Sequence, residues 1–306
     1  MTDWDPGRLP AQHGRTVVVT GGNTGLGYWT AEQLAAAGAR IVMAARSAER
    51  AGAASSSIRQ HVPGAEIEFV PLDLLSLASI ADAAETIAAR GPIDVLVNNA
   101  GTTHPPRRRT ETRDGLELVV GGNALGHFAL TARLFPALSP DARVVGLGSL
   151  STLMVRLDAD DLLSERRYAP FRAYAFSKHA VHGFAAELDR RLRAAGDRRM
   201  SLLAHPGYAA NSLAEARPGV PNDSTRFQRA VARLATPVAQ GKDTGAWPVV
   251  RAAVDPAARS GEFYGPARML RGAPVLVTPV ASSWDAGFGS RLWELAETAT
   301  GVRFDV

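Results

Sequence analysis

Short apolar runs alternate with amphipathic stretches over the first two thirds of the chain. The runs cover residues 15–20, 39–45, 66–72, 93–97, 143–148 and 200–204. Most are continuous aliphatic or β-branched residues, which is typical of strands buried on both faces of a parallel sheet. Apolar residues at helical spacing predict helices over residues 28–38, 76–89 and 114–138, and another from about residue 174 to 195. The alternation predicts an α/β fold with a doubly wound parallel sheet.

The pattern becomes less regular after residue 207. Residues 208–222 contain Pro218, Gly219 and Pro221, so a loop that could act as a lid is predicted there. Short helices are predicted near 226–234 and 244–254, a turn at 261–266 that leads into a strand near 274–277, and a helix at 287–300. No linker interrupts the chain. We therefore expect a polar arm at 1–13 and one domain at 14–306, with lid and substrate-side elements at 208–306.

Composition indicates an ordinary globular protein of 306 residues with 46% hydrophobic and 21% charged residues. No apolar run approaches the ~18 residues of a membrane span, and the polar start is unlike a secretory signal, so we expect a cytoplasmic protein without membrane partners. The absence of cysteine excludes disulfides and thiolate metal sites. The net charge of +4 comes from short, scattered arginine clusters without interleaved aromatic residues, which argues against nucleic acid as a partner.

A glycine-rich turn follows the first predicted strand and precedes the first predicted helix. Its glycines are Gly21, Gly22, Gly25 and Gly27. Glycines let the backbone approach a diphosphate closely, and the helix N-terminus supplies free amide donors. The second strand then ends at Ala45 and Arg46, where an acidic residue would favour the free ribose hydroxyl of NAD. An arginine there suits the 2′-phosphate of NADP(H).

Tyr174 and Lys178 lie four residues apart, which places both side chains on one face of a helix. A nearby ammonium favours the phenolate and is expected to lower the pKa of the tyrosine. A tyrosine tuned in this way can exchange a proton with a carbonyl oxygen. The chain has only one other lysine, Lys242, and arginine cannot replace lysine in proton relay.

Together these motifs resemble the short-chain dehydrogenase/reductase family, whose fold is of the Rossmann type, and the likeness spans roughly residues 14–210. Residues 20–27 match its TGxxxGxG turn, residues 98–101 its NNAG motif, and Pro206 with Gly207 its PG turn. Residues 122–131 and 172–180 look like the retinol-dehydrogenase and protochlorophyllide-reductase-like branch.

The resemblance implies a role for each matched residue. Asn123, Ser149, Tyr174 and Lys178 would form the catalytic tetrad. Tyr174 would be the general acid or base, Ser149 would hold the substrate oxygen, Lys178 would bind the nicotinamide ribose, and Asn123 would anchor a water. The cofactor, NADP(H), would contact Gly21, Asn23, Thr24, Gly25, Leu26, Gly27, Arg46, Asp73, Leu74, Asn99, Ala100, Gly101, Tyr174, Lys178, Pro206, Gly207 and Asn211.

Two positions depart from the family pattern. Gly148 replaces the first of two usual hydroxyl residues before the catalytic position. Asn211 stands where a threonine often contacts the nicotinamide carboxamide. The implied reaction is hydride transfer between nicotinamide and a medium-sized, fairly apolar ketone, aldehyde or alcohol, with secondary metabolism as one setting. The substrate is expected among residues 102–105, 150–155, 208–213 and near Trp284.

The sequence was also compared with the requirements of other classes of protein. A serine hydrolase fails because Ser149 lacks the flanking glycines of a nucleophile elbow. A zinc site on His179 and His182 lacks further ligands, so no metal is expected, and His127 and His205 are expected to be structural. An NADP-binding regulator, or a non-redox enzyme such as an epimerase or dehydratase, stays open. A homodimer paired through the Tyr174 helix is also open.

Overall fold

The computed structural model describes residues 4–221 and 237–306. Its strands have the following bounds: β1 Thr16–Thr20, β2 Arg40–Ala45, β3 Ile67–Pro71, β4 Ile93–Asn98, β5 Leu138–Leu147, β6 Met200–Ala204, β7 Ala209–Ala210, β8 Gln240–Gly241, β9 Phe263–Pro266 and β10 Pro274–Leu276. Within the described residues, eight of them form one sheet in the order β10-β9-β6-β5-β4-β1-β2-β3. All pairings in it are parallel except that of β10 with β9. The predicted doubly wound Rossmann-type fold is confirmed.

Helices cover both faces of this sheet. Their bounds are α1 Gly25–Ala36, α2 Ala48–His61, α3 Leu77–Ala88, α4 Leu118–Val120, α5 Gly126–Leu134, α6 Ser151–Met154, α7 Pro170–Ala194, α8 Lys242–Gly245, α9 Trp247–Val254, α10 Ala281–Trp284 and α11 Ala286–Thr300. Among residues 4–221 and 237–306, no helix is both long enough and apolar enough to cross a bilayer.

Two hydrophobic cores flank the sheet because successive strand residues point to opposite faces. Val18 belongs to the core beneath α3, α5, α7 and α11, whereas Val17 and Val19 belong to the core beneath α1, α2 and α9. Trp4 and Leu9 of the N-terminal arm pack against the second core. The continuous apolar runs of the sequence therefore reflect strands that are covered on both sides.

The segment predicted as a turn at 261–266 is instead partly a strand. In β9, Phe263 and Tyr264 are buried and extend the parallel sheet beside Leu203 and Ala204 of β6. The prediction was wrong because the flanking Gly261 and Gly265 suggested a turn, whereas tertiary pairing decides the state of so short a run. Position 265 requires a glycine because a side chain there would overlap the ring of His205.

The helix predicted over 114–138 is shorter and irregular. It begins at Leu118, where the carboxylate of Glu117 accepts a hydrogen bond from Val120 N at 2.7 Å. A π-helical turn over Gly121–Leu125 separates α4 from α5, and residues from Leu138 onward already belong to β5. Such turns widen a helix locally and often occur at functional sites. Asn123 lies in the middle of this one.

The predicted loop after residue 207 contains a short β-ladder, in which Ala209 and Ala210 pair with Gln240 and Gly241. The helix predicted near 226–234 lies outside the described residues. The helix predicted near 244–254 is two helices, α8 and α9, and the C-terminal helix is close to its predicted bounds.

The outer surface of α7, which a homodimer was expected to use, is covered by the chain itself. Gly183 of α7 lies against the side chains of Phe288 and Leu292 from α11. Trp293 of α11 lies beneath the guanidinium of Arg191, with 4.2 Å from that group to the ring centroid. A homodimer through α7 stays a prediction.

Candidate active site

The glycine-rich turn lies at the carboxyl end of β1. At three of its positions a side chain larger than that of glycine is disfavoured, each time for a different steric reason. Gly21 has a φ of +65° and donates its N–H to Ala44 O at 2.7 Å, which fixes the turn against β2. A side chain on Gly27 would overlap Gly21 O and the amide of Asn99. Gly25 has a φ of +59°, and a methyl group there would lie 3.0 Å from Lys242 Nζ.

The other predicted residues of this turn form the entry to α1. Asn23 is buried, and Thr24 is the N-cap residue without capping through its own side chain. Leu26 packs against the core. No Thr24 side chain caps the first-turn amides of α1, which can donate to an anionic ligand, and the helix dipole adds positive potential there.

The predicted residues after β4 are tied to this turn by Thr20. Thr20 Oγ1 accepts hydrogen bonds from the N–H groups of Asn99 and Ala100, both at 2.9 Å. Asn99 Nδ2 donates to Thr20 O at 2.7 Å. Gly101 lies next to Asn123, since a side chain on Gly101 would reach Asn123 Oδ1 at 2.8 Å. Hydrogen bonds therefore join the carboxyl ends of β1 and β4.

Asn123 connects the loop after β4 to α7. Its Oδ1 accepts from Thr102 N at 2.8 Å, and its Nδ2 donates to Ser177 Oγ at 2.9 Å. Ser177 Oγ in turn donates to Tyr174 O at 2.7 Å. Asn123 therefore joins the part of α7 that carries Tyr174 and Ser177 to the loop after β4.

The Ser149 hydroxyl, just beyond the carboxyl end of β5, lies beside the Tyr174 phenol. Burial raises the pKa of Tyr174, and the neighbouring Ser149 hydroxyl opposes this rise. The expectation that Lys178 lowers the pKa of the phenol is therefore not met in this arrangement. The reason is geometric, because Lys178 Nζ donates to Leu147 O at 2.7 Å and lies 5.9 Å from the Tyr174 ring centroid.

Lys178 is buried, and loss of water around its ammonium lowers its pKa to about 8. Its one hydrogen bond to Leu147 O uses one of three N–H donors. A lysine of this kind is poised to exchange protons near neutral pH.

Gly148 is explained by His182, one turn after Lys178 on α7. A side chain on Gly148 would reach His182 Nε2 at 2.6 Å, and His182 is 1% exposed. The ring also meets Phe263 edge-on, with 5.1 Å between centroids. The imidazole thus takes the space that a second hydroxyl residue would need, while Ser149 keeps its position.

Three further residues predicted to bind the cofactor follow the neighbouring strands β2 and β3. Arg46 follows β2 directly and is exposed. Asp73 follows β3, and its Oδ1 accepts from Leu75 N at 3.1 Å. Leu74 packs against the core, and its carbonyl lies close to Gly126. These residues lie at neighbouring strand ends without contacting the catalytic group.

Pro206, Gly207 and Asn211 follow β6. Gly207 has a φ of +65° and donates its N–H to His205 Nδ1 at 3.1 Å. Pro206 O accepts from Gln240 Nε2 at 2.8 Å. Asn211 begins the 3₁₀ turn Asn211–Leu213 and is partly exposed. His205 is buried, and burial lowers its pKa to about 4, in agreement with its expected structural role.

His127 has a more specific position than sequence reasoning assigned. Its Nε2 lies 2.9 Å from Thr20 Oγ1 and its Nδ1 lies 3.0 Å from Asn123 O. It therefore links Thr20, at the end of β1, to the π-helical turn that contains Asn123. The signal was its spacing of four residues after Asn123, which brings a ring back to the preceding carbonyl in a helix.

His179 and His182 are both buried in α7. His179 lies 2.8 Å from Val155 O and 2.6 Å from Ser283 Oγ through its two ring nitrogens. Over residues 4–221 and 237–306, no group of three His, Asp or Glu side chains could hold a metal ion.

Comparison with known proteins gives consistent matches. A family model described as short chain dehydrogenase matches residues 15–215. Polyprenol dehydrogenase of Mus musculus is 37% identical over 98% of this chain and 88% of its own length. Retinol dehydrogenase 13 of Homo sapiens is 41% identical over 65% of this chain and 60% of its own length. A crystal structure of an uncharacterized protein from Mycobacterium paratuberculosis has a TM-score of 0.81, 35% identity, and covers all of both chains.

Proposed function

Because the chain belongs to the short-chain dehydrogenase family, in its retinol-dehydrogenase-like branch, we propose that it is an NADP(H)-dependent enzyme for an elongated, apolar alcohol or its carbonyl form. The family assignment makes it an oxidoreductase acting on CH–OH or C=O groups with a nicotinamide cofactor. The choice of NADP(H) and the shape of the substrate are the finer parts of the proposal.

One observation carries the reaction type: the Ser149 hydroxyl lies beside the Tyr174 phenol, and Lys178 Nζ lies 5.9 Å from the Tyr174 ring centroid. Asn123 joins the same group through Ser177. Tyr174 donates its phenolic proton to a carbonyl oxygen, or accepts one from an alcohol. Ser149 donates a hydrogen bond to the same oxygen, where negative charge develops during reduction. Lys178 supplies positive charge beside them.

The residues around the glycine-rich turn suit a dinucleotide. Gly25 lacks the side chain that would keep a diphosphate from the backbone, and Thr24 does not cap the amides of α1 with its own side chain. The nicotinamide, when bound, supplies or takes the hydride. Gly21, Asn23 and Gly25–Gly27 would hold the diphosphate, Asn99–Gly101 the ribose, and Pro206–Gly207 the nicotinamide face, while Lys178 has donors left for ribose hydroxyls.

Arg46 supports NADP(H) over NAD(H). It follows Ala45 at the end of β2, where an acidic side chain would instead accept hydrogen bonds from the ribose hydroxyls. Its guanidinium is exposed and can form two parallel hydrogen bonds with a phosphate.

Exposed apolar side chains support the substrate class. They come from the segments after β5, β6 and β9, which are neighbouring parallel strands whose carboxyl ends share one edge. Tyr208 N donates to Leu270 O at 2.8 Å, so two of these segments touch. The exposed fractions are Leu153 61%, Met154 73%, Tyr208 57% and Met269 55%. Polyprenol and retinol, named for two relatives, are long apolar alcohols of this kind.

The proposal is tested by following NADPH absorbance with retinal, other isoprenoid aldehydes and small ketones, and with NADH in place of NADPH. We expect turnover that prefers NADPH and isoprenoid aldehydes. Tyr174→Phe should lower kcat by about 10²-fold or more while leaving NADPH affinity unchanged. Equal turnover of the variant would refute the role of Tyr174. Binding of NADPH without turnover across the panel would favour a regulator.

A further inference from the structure

The second lysine of the chain lies in a segment that the matched family region does not include. Lysine and arginine together number 34, and only Lys178 and Lys242 are lysines. Lys178 belongs to the catalytic group. Lys242 begins α8, beyond the matched residues 15–215.

The ammonium of Lys242 lies over the glycine-rich turn. A methyl group on Gly25 would be 3.0 Å from Lys242 Nζ, 3.8 Å from Cε and 3.7 Å from Cδ. The end of this side chain therefore occupies the space above the one glycine whose missing side chain lets a diphosphate approach the backbone.

The backbone of α8 is held in this place by contacts with α1. Gln33 Nε2 of α1 donates to Asp243 O at 2.8 Å. A side chain on Gly245 would reach Leu26 Cδ2 at 3.2 Å, so the two helices are closely packed. On its other side α8 follows β8, which pairs with β7 just after Gly207. Lys242 thus lies between the turn that suits the diphosphate and the turn beside the nicotinamide.

We propose that Lys242 binds the diphosphate of the cofactor from the side opposite the α1 amides. This inference rests on the proposed function, because it assigns a further residue to the same cofactor site. A diphosphate carries negative charge that the amides and dipole of α1 balance only in part. A compact ammonium with three rotatable donors can contact oxygens of both phosphates.

Binding measurements on Lys242→Met and Lys242→Arg test the assignment without relying on activity. NADPH affinity is measured by quenching of tryptophan fluorescence, and adenosine 2′-monophosphate, which has no diphosphate, is titrated by calorimetry. We expect Lys242→Met to weaken NADPH about tenfold or more and to leave the monophosphate unchanged. Lys242→Arg should keep more of the affinity than Lys242→Met. Arg291→Met, which removes an exposed charge on α11, should match the wild type for both.

A second measurement uses the unaltered chain. Labelling with an amine-reactive reagent, read by mass spectrometry, distinguishes Lys242 from Lys178 because no other lysine competes. NADPH should suppress labelling of Lys242, and adenosine 2′-monophosphate should not. Unchanged labelling, unchanged NADPH affinity of Lys242→Met, or an equal loss for both ligands would each overturn the inference. A wild-type protein that binds no dinucleotide would instead refute the proposed function.

Discussion

The candidate site has two ends, one proposed to bind the cofactor and the other proposed to bind the substrate, and they are built in different ways. At the cofactor end, backbone amides, glycines and short hydrogen bonds between β1 and β4 form the surface, as in the contacts of Thr20 with Asn99 and Ala100. At the substrate end, short elements after β5, β6 and β9 present exposed apolar side chains such as Met154 and Tyr208. The first surface is specified by what the backbone requires, and the second by which side chains happen to face outward.

This difference indicates where substitutions should matter. A backbone-built surface fails when a single side chain enters space that the fold has closed. A side-chain surface should change gradually, because each apolar group contributes roughly in proportion to its buried area. Substitutions at both ends can sharpen or break this contrast.

Gly27→Ala should give the largest loss of stability. The new methyl would overlap Gly21 O and the Asn99 amide, two groups that the fold holds in place. We expect the free energy of unfolding to fall by about 3 kcal/mol, with much weaker NADPH binding. Urea unfolding and fluorescence titration measure both.

Gly52→Ala is the matched control for this change. Gly52 is on α2, and a methyl there meets nothing within 4 Å. Alanine favours helix, so this variant should gain about 0.5–1 kcal/mol. A Gly27→Ala protein as stable as Gly52→Ala would contradict the closed-space argument.

Gly148→Ser restores the hydroxyl that the family pattern usually has, and it should destabilise this chain. Its side chain would meet the buried His182 ring at 2.6 Å. The expected loss is about 2 kcal/mol by thermal or urea unfolding. Adding His182→Ala should recover part of it, which a double-mutant cycle would measure. Additive losses would show that the two positions do not compete for space.

The sequence was most informative about the ends of β1 and β4, for physical reasons. Positions such as Gly25 and Gly27 tolerate no side chain, and Thr20 and Asn99 must satisfy particular backbone groups, so their identities are visible in the sequence. The parallel strands were visible because they are covered on both faces. The fold was therefore predictable as far as β6.

The remainder depended on long-range contacts that local patterns do not contain. The strand at Phe263–Pro266 exists because β6 offers an edge to it, and the break near Asn123 depends on Leu74 and Leu75 packing against Gly126 and Gly122. The sequence predicted a lowered pKa for Tyr174, whereas burial raises it. Spacing along a helix does not determine which group the Lys178 ammonium contacts, and here it donates to Leu147 O. The position of Lys242 over Gly25 joins segments more than two hundred residues apart.

His127 predicts a pH dependence of stability at the cofactor end. Burial lowers its pKa in the folded state to about 4, below the usual 6.5. The unfolded chain therefore takes up a proton first as the pH falls, so stability decreases between pH 6.5 and 4. Between pH 7 and 5 this histidine should account for about 2 kcal/mol of the decrease. His127→Gln should show a smaller decrease by urea unfolding, while His104→Gln, at an exposed position, should follow the wild type.

Met154→Gln should have the smallest effect, and it tests the substrate end. Met154 is 73% exposed on α6, five residues after Ser149, so its replacement should leave the fold and NADPH affinity unchanged. Loss of apolar contact should raise KM for retinal about threefold, because burying a methylene contributes about 0.8 kcal/mol. KM for a short aldehyde, which does not reach this side chain, should stay the same, and Met154→Leu should match the wild type. An equal change for both aldehydes would place the apolar chain elsewhere and break the contrast between the two ends of the site.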